Sequence, residues 1–139
     1  NGSVSVENFC TSDDAKGGSR TTSIRGYADP VEGKVYGSGS FQVKFPVSRI
    51  DFKGPNYVVD RVYYGKPSSS DKRRHPRRRD EPYSTVLVGS QNFTGWFLLS
   101  RTRQVSTEVV YSYLREVADA GYNLEVPYSI TNQTGCAPV

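Results

Sequence analysis

Between Val35 and Val47 the chain alternates strictly. Val35, Gly37, Gly39, Phe41, Val43, Phe45 and Val47 take every second position, and Tyr36, Ser38, Ser40, Gln42 and Lys44 stand between them. Period two sustained over so many residues is the repeat of a pleated strand with one covered face, so it commits the chain to a sheet. Glycines on the covered face predict a bend or the close approach of another backbone.

The remaining patterns agree with a sheet. Residues 20–27 read as a first strand and 57–64 as another, rich in β-branched and aromatic side chains; a short apolar piece spans 49–52. The runs 83–88 and 93–99 flank Gly89-Ser90-Gln91-Asn92 and predict a hairpin with a four-residue connection. Residues 11–19 are polar and Gly-rich and read as a loop. From Ser106 the period changes, with Val109, Val110, Tyr113, Leu114 and Val117 at helical spacing, Ser106 or Thr107 able to cap the start and Gly121 placed to end it. Leu124, Val126, Tyr128 and Ile130 then alternate as a last strand. The expectation is an α+β, β-dominated chain, an antiparallel sheet or β-sandwich with one helix at about 106–120. A chain of 139 residues has the length of one domain and can bury roughly 68% of the surface its unfolded form exposes.

The formal charge is +4, but it is local. Lys72, Arg73, Arg74, Arg77, Arg78 and Arg79 lie in one run around His75 and Pro76; without those six cations twelve Lys+Arg face fourteen Asp+Glu, a net of −2. A nucleic-acid-binding domain usually spreads its cations over a face or groove. Here they sit in an expected exposed loop at about 66–82, bounded by Gly, Pro and Ser on one side and Asp80-Glu81-Pro82 on the other; loops this long are functional or disordered. The run admits four readings: a solvated insertion; a site for dibasic secretory proteases; a contact for a polyanion such as a glycan, an anionic lipid or RNA; or a nuclear localisation signal used after entry into a host cell.

Cys10 and Cys136 lie near opposite ends of the chain, the placement a bridge pinning the termini would need, and their spacing fits no metal site. Such a bridge stabilises by roughly 5 kcal/mol at most in the chain-entropy model; two free buried thiols are the alternative. Asn1, Asn92 and Asn132 each begin an Asn-x-Ser/Thr triplet, which points to a secreted, extracellular glycoprotein. No apolar run reaches the ~20 residues of a membrane span, and the chain reads as a mature form whose signal peptide has been removed.

Catalytic groups are sparse. His75 is the one histidine, and its cationic neighbours disfavour its protonated form. Glu125, on the polar face of the expected last strand, is the residue a small secreted ribonuclease could use. Asp13-Asp14 is too short a cue for calcium, and Gly37-Ser38-Gly39-Ser40 lacks the helix and lysine of a phosphate loop, so neither metal nor cofactor is expected. Trp96 reads as a core residue, with ligand stacking as the alternative.

A Met-free, β-rich chain with two cysteines near its ends, sequons and dibasic sites resembles secreted fungal effectors and killer toxins, and its organisation is similar to the ToxA-like effectors, a sandwich closed by one terminal disulfide. The resemblance implies a non-enzymatic protein that binds a host or competitor target. A secreted hydrolase and a glycan-binding or adhesion module using exposed tyrosines are the competing expectations.

Intact mass of the natively secreted protein should show one bridge between Cys10 and Cys136 and a cut within residues 72–79. Two free thiols would refute the bridge, and one uncut chain would refute processing.

Overall fold

The structure is a computed structural model, and it describes residues 2–13, 17–31, 39–46, 54–64, 82–90 and 95–133. Two compact units divide the chain, one running to Tyr57 and the other starting at Val58. Among the described residues six strands and one helix make it β-dominated α+β, in agreement with the sequence patterns.

In the first unit, β1 (Val4–Asp13) pairs antiparallel with β2 (Ser19–Pro30), and β2 pairs antiparallel with β3 (Ser40–Lys44). The strand expected at 20–27 is therefore longer at both ends, and a strand occupies part of the span expected as a loop from residue 11. β1 had no apolar period to announce it because it covers no core. Along β1 and the outer half of β2 nearly every residue is exposed, and Thr11 and Thr21 hydroxyls meet across the ribbon at 3.2 Å. Nearer β3 the ribbon gains a covered face, where Gly26 and Ala28 are buried. A Cβ on Gly26 would collide with the Lys44 carbonyl oxygen, so this crossing needs the absent side chain.

Of the 35–47 alternation residues 39–46 are described, and within them 40–44 form β3. Gly39, at φ 101°, turns the chain into the strand, the bend that its glycine foretold. Ser40 is buried, and Phe41, Gln42 and Val43 are all half-buried, so β3 is partly covered on both faces. The Asn56 side chain acts as its next strand partner: Val43 N–H donates to Asn56 Oδ1 at 2.7 Å and Asn56 Nδ2 donates to the Val43 carbonyl at 2.9 Å. The piece expected at 49–52 lies outside the described residues, as does the basic loop through residue 81.

The second unit holds β4 (Tyr57–Tyr64), β5 (Tyr83–Gly89), β6 (Trp96–Ser100) and α1 (Thr107–Asp119), with β4 and β6 antiparallel to either side of β5. β4 falls where its sequence placed it, and β5 with β6 make the expected hairpin. α1 also matches. Ser106 Oγ accepts from Val109 N–H at 3.4 Å at its start, and Gly121, at φ 94°, reverses the chain at its end. There Gly121 N–H bonds the Ala118 carbonyl and Tyr122 N–H the Val117 carbonyl, a Schellman arrangement that returns Tyr122 to the helix. Tyr122, Val117 and Leu87 form the core of this unit, with Tyr63, Trp96 and Leu124 packed around it.

The strand expected at 124–130 does not form. Residues 124–126 form a bend and 127–133 carry no strand pairing; alternation supplies a strand's side chains but not the neighbour it needs.

Replacing Asn56 by Ala removes two hydrogen bonds from the Val43 backbone and should cost roughly 1–3 kcal/mol. Urea unfolding checks this, and unchanged stability would show that Asn56 does not complete β3.

Candidate functional site

The β4–β5 pairing slips by one residue at Asp60. The slip reverses which side chains face the helix. Val59 stands opposite Val88 on one face, but after the bulge Arg61 stands opposite Leu87 and Tyr63 opposite Thr85 on the other, where α1 packs. Arg61 Nη1 then meets Glu116 of the helix at 2.7 Å, and Tyr63 meets Tyr113 at 4.7 Å between ring centroids. A second slip leaves Ser84 without a β4 partner, and its hydroxyl donates to the Tyr63 carbonyl at 3.3 Å.

Next to this packed face lies a cleft of about 880 Å³, within the usual range for ligand sites. Residues 95–100, including the whole of β6, make one long stretch of its wall, and residues 126–133, which form no strand, make another. The loop 102–105 and Val110, Tyr113 and Leu114 of α1 add to the lining. One ring from each stretch meets the other: Trp96 and Tyr128 lie 5.7 Å apart between centroids. Arg103 is the one charged side chain among the described lining residues, and no carboxylate, histidine or cysteine is among them.

Two buried polar atoms belong to this region. Thr85, 2% exposed, lines the cleft, and its Oγ1 has no hydrogen-bond partner among the described residues; Tyr63 Oη, on the same sheet face, has none either. Burial, reinforced by the Glu116 charge, pushes the Tyr63 phenol up to about 12. Tyr122 is also raised, first by burial and then by Asp60. At the helix start, Glu108 is held below the usual carboxylate range by its own backbone N–H and by Ser106.

Comparison with protein-family models, curated proteins and solved structures finds no match to this chain.

Of the residues singled out in the sequence, Trp96 comes to the cleft, where it is half-buried and serves both packing and lining. Asn132 is exposed at the end of the 126–133 wall, so a glycan there would stand at the cleft. Glu125 does not lie on a strand; it is exposed in a turn where Asn123 Oδ1 accepts its backbone N–H at 2.8 Å. Cys10 is an exposed free thiol on β1, while its expected partner Cys136 lies outside the described residues, with Asn1, Asn92, His75 and the run from Lys72 to Arg79. Asp13 is the last residue of β1, and among the described residues no group of three His, Cys, Asp or Glu side chains gathers. Sequence reasoning missed Tyr128 and Arg103. Tyr128 carried a signal, as a large amphipathic ring next to Pro127, whereas Arg103 had none.

Tyr63→Phe removes a buried hydroxyl without a partner and should leave stability at pH 7 unchanged or raised. A tyrosine whose folded value is raised favours folding while neutral, so its contribution is complete below pH ~10 and is lost towards pH ~12. The variant should therefore lose less stability than the parent across that window in urea titrations; equal losses would refute the assignment.

Proposed function

We propose that this chain is a secreted, effector- or toxin-like protein that acts by binding a target, with the cleft of the second unit as its binding site. The observation that carries this reading is the pairing of two aromatic rings, Trp96 with Tyr128, in a cleft lined by a whole edge strand. Aromatic rings supply large contact area and stacking at small entropic cost. The single cation Arg103 supplies orientation and a preference for a carboxylate or similar group. The run from Lys72 to Arg79 then serves as a protease site or a polyanion contact, a role separate from target selection.

The hydrolase reading has less support. Acid–base cleavage needs titratable groups facing one bond, and the described lining of the cleft offers Arg103 alone. Glycan recognition keeps one observation in its favour, because Trp96, Tyr128 and the amides of Asn123 and Gln133 share the cleft.

Trp96 is the only tryptophan in the chain, so its fluorescence reports occupancy of the cleft directly. Peptide ligands should shift its emission, and Tyr128→Ala should abolish that shift. Soluble oligosaccharides that shift the emission instead would support the glycan reading. RNA degraded in proportion to protein concentration, with loss of activity in Glu125→Gln, would overturn the binding reading.

A further inference from the structure

The hydrogen-bond register of β5 and β6 shows which backbone groups of β6 face the cleft. Ser90 N–H donates to the Gly95 carbonyl and Arg101 N–H to the Ser84 carbonyl, each at 2.9 Å. In an antiparallel pair, bonded and non-bonded partners alternate. With Val88 opposite Phe97 and Val86 opposite Leu99, residues 97 and 99 spend their backbone groups on β5. Trp96, Leu98 and Ser100 stand opposite Gly89, Leu87 and Thr85, and their N–H and C=O groups point away from β5. No described residue pairs with them.

The cleft wall has the signature of that open edge. All six residues from 95 to 100 line it in succession, whereas one face of a strand would contribute only alternate residues. Nor does β6 carry the usual protection of an edge: Trp96-Phe97-Leu98-Leu99-Ser100 has no charge and no proline, and its pairing with β5 has no bulge. The other long stretch of the lining, 126–133, forms no strand and leaves that edge of β6 without a seventh strand among the described residues. A slot lined along the whole length of a sheet-edge strand suits an inserted strand.

We infer that the slot binds an extended peptide segment of a target protein by strand addition to β6, the peptide carrying a carboxylate that meets Arg103. This rests on the binding reading above. Main-chain bonds to Trp96, Leu98 and Ser100 supply affinity, and alternate peptide side chains select the target. The carboxylate follows from charge complementarity, since Arg103 is the one charged side chain among the described lining residues.

The test uses the full chain and a displayed library of nine-residue peptides, random except for a Glu fixed at either end. In the free protein, amide exchange at Trp96, Leu98 and Ser100 should be fast while Phe97 and Leu99 are protected. A selected peptide should slow the three fast amides at least about tenfold, and N-methylation of its alternate residues, or Arg103→Gln, should weaken binding about tenfold or more. A library that yields no binder overturns the inference, leaving the binding reading to its RNA test. Peptides that shift Trp96 emission without protecting the three amides overturn strand addition alone. Protection already present in the free protein also overturns it: independent of concentration, it means residues 126–133 close the edge; rising with concentration, it means a second copy does.

Discussion

Leu87 is fully enclosed against Val117 and Tyr122, and the organisation of the second unit depends on this contact. It brings α1 onto one face of β5, and because side chains alternate, it decides at once which residues of β4 and β6 are covered and which are not. Thr85, Leu87, Trp96 and Leu98 go to the helix side; Phe97 and Leu99 go to the other and remain exposed. The Gly121 turn is part of the same device, since it sends Tyr122 back into the cluster and starts the segment that lines the cleft. A close approach at Gly89, where a Cβ would collide with Tyr122 Oη, completes the fit.

Satisfaction of backbone polar groups is the second constraint, and it is unevenly met. In the first unit the Asn56 amide supplies the bonds that β3 needs beside Val43. In the second, the outward groups of β6 face a cleft instead of a strand. Unpaired backbone next to apolar side chains and aromatic rings is costly when dry and useful when a partner can complete it. The same physics that makes an edge a hazard underlies the strand addition proposed for this one.

Legibility in the sequence followed burial. β4 and α1 were readable because each presents a covered face with its own period, and the hairpin because its turn residues separate two apolar runs. β1 was not readable, for a ribbon exposed along its length imposes no apolar spacing. Residues 124–130 misled in the opposite direction, having the alternation of a strand but no paired neighbour. The bulge at Asp60 had no sequence signal, and yet it places Arg61 and Tyr63 against the helix. At the cleft, Trp96 was visible as a large ring in a strand, while Arg103 and Tyr128 acquire their roles only by proximity.

The sequence by itself determined the class of fold, the positions of its clearest strands and its helix, and the concentration of positive charge between Lys72 and Arg79. These are local matters, settled by period, capping and composition over short spans. Tertiary structure alone decided that Trp96 and Tyr128 meet, that Arg103 lines the cleft, and that β6 lies at the edge of the sheet. The reason is physical: a strand's side chains state which face it prefers to bury, but its backbone groups are alike at every position, so whether they find partners depends on what the rest of the chain brings beside them.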